Sequence, residues 1–238
     1  MYKDSLINAN RYSKAIIAER EEFVCIHGHN GIRHPACFNK ANDITERKGM
    51  LDIEAGALNA DFDICLSWCI KKSGEEEYTY DNLIKADLVK GRYDSRLIAS
   101  LVEEMWNYDR LITHYGSNFR FDIPFVRSRY LWLKAREMYN GLPFPCYGEM
   151  WLTDTFAMSK RLTKITSRRQ DNLAKVMLGK DIKTRIDKDF WMAIKYGDTA
   201  TREKAIEYIV DHNVKDAEQL DGIYLAMLPF IRETRTSI

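Results

Sequence analysis

Four acidic residues stand at intervals that suit one kind of chemistry: Asp52 and Glu54 in Leu-Asp-Ile-Glu, Asp122 in Asn-Phe-Arg-Phe-Asp, and Asp216 in His-Asn-Val-Lys-Asp. In an extended strand alternate side chains face the same way, so Asp52 and Glu54 share one face while Leu51, Ile53 and Ala55 take the other. Two carboxylates on one face of an apolar strand repel each other. Hard divalent cations held by oxygen ligands remove that cost, and a pair of Mg²⁺ or Mn²⁺ ions can activate a water and stabilise a departing oxygen, the chemistry of phosphodiester hydrolysis. Asp52, Glu54, Asp122 and Asp216 are therefore candidate metal ligands. The competing reading makes each a surface carboxylate; an acid set between Leu51 and Ile53 is costly to bury without a counter-charge, which favours the ligand role at Asp52. Asp122 also suits the cap of a helix opening at Ile123, where a carboxylate satisfies free amides.

A second cluster lies upstream in Cys25-Ile-His27-Gly-His29 and His34-Pro-Ala-Cys37. Two thiols and three imidazoles in so short a span could supply a tetrahedral zinc site, most simply Cys25, His29 or His27, His34 and Cys37. The spacing is not that of a standard finger, and a polar loop with two incidentally buried thiols is the alternative. Basic residues collect in the stretch from Lys160 to Arg169, with Arg161, Arg168 and Arg169 among them and no acid between. Such a stretch can hold the phosphates of a nucleic acid strand, helped by Arg127 and Arg129, or can be a solvated loop.

The elements that must position these residues are legible from periodicity. Strands are expected at about 50–55, 62–72 and 76–81, the last two joined as a hairpin through Ser73-Gly74. Leu97, Ile98, Leu101, Val102 and Met105 recur at helical spacing, predicting a helix from Ser95 to Tyr108 with Asp94 as its N-cap. A strand from Leu111 to His114, a helix from Ile123 to Tyr139 with Pro124 in its first turn, and a strand from Met150 to Thr153 follow. The stretch from Thr201 to Leu228 carries an apolar stripe and reads as one long amphipathic helix. A helical stretch near Arg11 to Glu22 precedes all of these. The order implies an α/β architecture with a mixed sheet flanked by helices, and the chain divides near residue 48 into an N-terminal segment, 1–47, and a main domain, 48–238.

Composition narrows the class further. With 238 residues, 45% of them hydrophobic, the chain can bury a full core, and a net charge of +1 leaves only local basic patches for an anionic polymer. No run approaches a membrane span and the first residues lack the apolar stretch of a signal peptide, so a cytoplasmic protein without a membrane partner is expected. Five cysteines point to reduced thiols or metal ligands rather than a disulfide framework. Trp68, Trp106, Trp132 and Trp191 sit in periodic apolar segments and are expected in the core.

Three motifs in order resemble the DEDD superfamily of 3′-to-5′ exonucleases, which share the RNase H-like fold. Leu-Asp52-Ile-Glu54 is similar to the first exonuclease motif, Gly116-Ser-Asn118-Phe-Arg-Phe-Asp122 to the second, and Asn-Val-Lys-Asp216 to the third; Asp171 to Gly179, Phe190-Trp191 and Tyr196-Gly-Asp198 resemble prokaryotic and phage members. The resemblance spans roughly residues 48–231. It implies that Asp52, Glu54, Asp122 and Asp216 bind two Mg²⁺ or Mn²⁺ ions, and that Asn118 orders its turn or contacts substrate. Family members place Tyr-x-x-x-Asp or His-x-x-x-x-Asp in the third motif; this chain has His212 at the tyrosine spacing. One helical turn from Asp216, a neutral imidazole there suits a general base, against the alternative of a helix-surface histidine. Ala55 follows Glu54 where many members carry a hydroxyl residue. The implied activity is metal-dependent 3′-to-5′ exonucleolytic hydrolysis of single-stranded DNA or RNA. Alternatives are a non-catalytic nucleic-acid-binding module of the same fold and a structure-specific endonuclease.

Overall fold

The structure is a computed structural model, and it describes residues 14–89, 91, 93–117, 120–179, 188–233 and 236–238. Its centre is β1 (Lys48–Ala55), which pairs antiparallel with β2 (Cys65–Lys72) and parallel with β4 (Arg110–Thr113). Outward from these lie β3 (Tyr78–Asn82) beside β2, then β5 (Trp151–Asp154) parallel to β4, and a short β6 (Thr236–Ser237) antiparallel to β5. The resulting order, β3-β2-β1-β4-β5-β6, is a six-stranded mixed sheet flanked by helices, the α/β architecture that the sequence implies. The short β6 was not anticipated, because two residues carry no periodicity.

The alternation of β1 sorts its side chains between two cores. Leu51 and Ile53 join Leu66, Trp68 and Ile70 of β2 in one cluster with α4 (Ser95–Met105) and α5 (Asp122–Ala135). Met50 belongs to the other, with Ile112, Leu173 of α7 (Gln170–Leu178), Met158 of α6 (Thr155–Leu162), and Leu220 and Ile223 of α9 (Thr199–Met227). Asp52 and Glu54 alternate with Leu51 and Ile53 and so share Met50's face, the one that α9 covers. The long helix is clamped to the sheet by its buried Asp221, which accepts from Lys71 Nζ (2.8 Å), Ser73 Oγ (3.1 Å) and the Gly74 amide (3.0 Å). Gly74, at φ 73°, supplies the left-handed turn of the β2–β3 hairpin.

Three local expectations are corrected. Asp94 does not cap α4; its carboxylate accepts from the Cys65 amide at 2.9 Å and pairs with Arg129 at 2.7 Å, both side chains being buried. A buried guanidinium on α5 claims the acid more strongly than free helix amides do. Arg129 is thereby removed from phosphate binding, while Arg127 lies over the Phe144 ring at 5.5 Å. Third, α5 stops at Ala135 rather than Tyr139, because Glu137 turns left-handed at φ 56°.

Upstream, α1 (Lys14–Glu22) and α2 (Pro35–Ala41) are joined by buried Arg20, which donates to the Gly31 carbonyl at 3.2 Å and to Asn39 Oδ1 at 2.5 Å. Helix α3 (Lys85–Val89) bridges β3 to α4, and α8 (Lys188–Tyr196) precedes α9. Trp68 and Trp106 are buried and Trp132 partly so, as expected of core residues; the Trp191 side chain lies outside the described residues. Among the described residues no helix is long and apolar enough to cross a membrane.

Candidate metal centre

Strand β1 delivers the first two acids as its alternation requires. Asp52 pairs with Cys69 in the β2 register and Glu54 with Ser67, and the register shifts between Glu54 and Ala55, so the strand bends where Glu54 leaves it. Asp52 Oδ2 accepts from Asn213 Nδ2 of α9 at 2.5 Å, and Ser67 Oγ steadies Asn213 Oδ1 at 3.3 Å.

The third acid is positioned by a close approach of backbone. Asp122 opens α5 without capping it, and its Oδ1 instead accepts from the Ile53 amide of β1 at 3.3 Å. Its other oxygen rests against Gly116; a Cβ there would lie 1.8 Å from Asp122 Oδ2, so any other residue forces the carboxylate or the turn to shift. The Ile123 amide donates back to the Gly116 carbonyl at 2.9 Å. Buried Asp154, at the end of β5, organises the same turn by accepting from the Tyr115 amide (3.1 Å) and Ser117 Oγ (3.0 Å), while capping α6 through the Phe156 amide (2.9 Å).

From α9 come His212 and Asp216, one turn apart. His212 Nε2 lies 3.4 Å from Asp216 Oδ2 and 3.6 Å from Glu54 Oε1. Ligand atoms of Glu54, His212 and Asp216 all fall within 4.8 Å of one another. The Asp216 carbonyl accepts from Gln170 Nε2 at 2.7 Å, which ties the start of α7 to this turn of α9.

The electrostatics of this group are unbalanced without a cation. Loss of water, then the charges of Asp216, Glu54 and Asp122, push Asp52 well above the usual carboxylate range, against the pull of the Asn213 hydrogen bond. Glu54 is raised likewise by desolvation and by Asp216 and Asp122. Burial lifts Asp122 to about 7, and burial with nearby Asp171 lifts Asp216 to about 6. Burial lowers the His212 imidazole below its ordinary value, which keeps it neutral and able to accept a proton or coordinate. Four acids that repel one another, two of them set with His212 inside 4.8 Å, fit divalent cations by donor type and by charge.

The other anticipated residues fall in different places. Asn118 lies outside the described residues. Lys160 and Arg161 are exposed at the C-terminal end of α6, and Arg169 is exposed at the N-cap of α7. Arg168 is half-buried and donates to the Thr163 carbonyl at 3.0 Å, so part of its donor capacity is spent on its own loop. That loop leads directly into Gln170 and hence to Asp216. In the upstream cluster Cys25, His34 and Cys37 come together, but His27 takes the place expected of His29, whose ring stacks on His34 at 4.0 Å. Asn213, Ser67, Ser117 and Asp154 support the site through contacts that no motif spacing marks. A polar residue inside the α9 apolar stripe was the available signal for Asn213. A separate groove of about 540 Å³, between β3 and the first half of α9, is lined by Tyr80, Leu83, Arg202, Ile206 and Val210 and by none of the four carboxylates.

No family model matches the chain, and no curated protein matches it. Among solved structures it is similar to one described as the apo form of the nuclease, at 16% identity and a TM-score of 0.44, over 80% of this chain and 77% of that one. A superposition this loose assigns no residue and no chemistry.

Proposed function

We propose that the protein is a metal-dependent nuclease, most specifically a 3′-to-5′ exonuclease acting on single-stranded DNA or RNA. The observation that carries this reading is the meeting of Glu54 of β1 with His212 and Asp216 of α9, whose ligand atoms all lie within 4.8 Å of one another, with Asp52 and Asp122 near enough for their charges to act on the same group. The four carboxylates would hold two Mg²⁺ or Mn²⁺ ions. When bound, such ions act as Lewis acids on a phosphate and lower the pKa of water.

The chain's own residues would do the rest. Asn213 fixes the orientation of Asp52, and the Ile53 amide fixes that of Asp122, so neither carboxylate must be ordered when substrate arrives. His212 Nε2, kept neutral by burial, accepts the proton of the attacking water. Lys160, Arg161, Arg168 and Arg169 supply positive charge along the phosphates approaching from the α6–α7 side. Residues 48–238 form the catalytic domain in this reading, with residues 1–47 as its appendage.

The test is cleavage of end-labelled and circular single strands, of both DNA and RNA, with Mg²⁺, with Mn²⁺ and with chelator. Metal-dependent release of mononucleotides from the 3′ end supports the exonuclease; cleavage of circles makes it an endonuclease. Binding without turnover under every condition leaves a non-catalytic binding module.

A further inference from the structure

The segment before β1 holds a second donor set, on elements unrelated to the carboxylates. Residues 24–30 form a tight hairpin closed by a Val24–Asn30 bridge and by the Cys25 amide donating to the His29 carbonyl at 2.9 Å. Gly28, at φ 77°, makes its turn, and His27 at the tip points back toward Cys25. His34 stands at the N-cap of α2 and Cys37 in its first turn, so the helix presents both on the side facing the hairpin.

The four donor atoms form a closed ring of contacts. Cys25 Sγ lies 3.7 Å from His27 Nδ1 and 3.6 Å from His34 Nδ1; Cys37 Sγ lies 3.6 Å from His27 Nδ1 and 3.9 Å from His34 Nδ1. Hydrogen bonding does not account for this square. Each thiol has one proton and each neutral Nδ1 one lone pair or one hydrogen, so two sulfurs cannot satisfy two rings four times over. A tetrahedral ion does. With bonds of about 2.3 Å to sulfur and about 2.0 Å to nitrogen, neighbouring donors sit roughly 3.5 Å apart.

We propose that Cys25, His27, His34 and Cys37 bind one structural Zn²⁺. Two thiolates and two imidazoles select zinc over the hard cations that suit an all-oxygen set. Both histidines offer the same nitrogen, Nδ1, leaving Nε2 outward. The ion cross-links the hairpin to α2 where the apolar packing is thin: Cys25, Ile32 and Phe38 are buried, whereas Val24 and Ile26 on the hairpin are exposed. Ile32 also reaches the main core, so fixing this loop fixes a piece of the domain's packing.

The experiment is metal analysis of the full chain purified without chelator, in an Asp52→Asn, Glu54→Gln, Asp122→Asn, Asp216→Asn background that removes all four carboxylates. About one zinc per chain is expected, retained by His29→Ala and lost by His27→Ala and by Cys25→Ser with Cys37→Ser. Cobalt exchange gives a second readout: tetrahedral d–d bands with thiolate charge transfer in the parent, neither in His27→Ala. Absence of zinc from a protein whose circular dichroism shows it folded, zinc retained by His27→Ala, or a Cys25–Cys37 disulfide found by mass spectrometry would each overturn the proposal. None of these readouts depends on nuclease activity.

Discussion

At the scale of single residues, the acids of β1 and α5 cost stability whenever no cation balances them. Asp122 is buried and raised to about 7, so near neutral pH it ionises against its surroundings. Replacing it by asparagine, isosteric and neutral, keeps the shape and removes the charge. Asp122→Asn is expected to abolish cleavage while raising the chelated protein's unfolding free energy at pH 8, by on the order of 1 to 3 kcal/mol. Denaturant unfolding in chelator measures the second effect, and a loss of stability would contradict it. His212 is tested differently. His212→Ala should lower turnover about a hundredfold while shifting the metal titration midpoint only a few-fold, and His212→Tyr should recover part of the rate. Wild-type activity should rise with pH through an imidazole value below the ordinary one, and that rise should flatten in His212→Ala. A His212→Ala enzyme with full activity across the range would make the ring an ordinary helix residue.

At the scale of elements, the turn before α5 depends on an absent side chain. Gly116→Ala places a methyl group where Asp122 Oδ2 sits, so the acid or the turn must move. The variant should lose most activity and bind Mn²⁺ at least tenfold more weakly, as isothermal titration would show, with β1 and α9 still folded. Some of this was readable beforehand. The period-two pattern of Leu51, Asp52, Ile53 and Glu54 places both acids on one face, and the apolar stripe from Thr201 to Leu228 predicts the long helix that carries Asp216. What escaped depends on partners distant in sequence. Asp94 looks like a cap until Arg129, 35 residues on, is seen to claim it. Asn213 looks like an interruption of the stripe until Asp52 is seen beneath it. His27 and His29 are equivalent in sequence, and only the left-handed turn at Gly28 decides which ring faces the thiols.

For the whole molecule the carboxylates act together on stability. A carboxyl raised in the folded state holds its proton there but releases it earlier when unfolded. Between the two values the folded state binds more protons, and stability falls as pH rises. For Asp122 the window runs from 3.8 to about 7, and for Asp216 from 3.8 to about 6. The chelated protein should therefore melt at progressively lower temperature as pH climbs through that window. Mg²⁺ or Mn²⁺ should restore the loss above pH 7, and Asp122→Asn should flatten the slope. A wild-type slope equal to that of Asp122→Asn would dissociate the stability loss from this carboxyl.

The contact between Asn213 and Asp52 joins residues 161 positions apart. A chain emerging from the ribosome therefore presents Asp52 and Glu54 well before His212 and Asp216 follow. Until α9 docks, the growing chain carries Asp52, Glu54 and Asp122 without the His212 and Asp216 that lie against Glu54. Synthesis order thus imposes a latency: the nascent chain can fold much of its sheet before the last two of these side chains exist to join it.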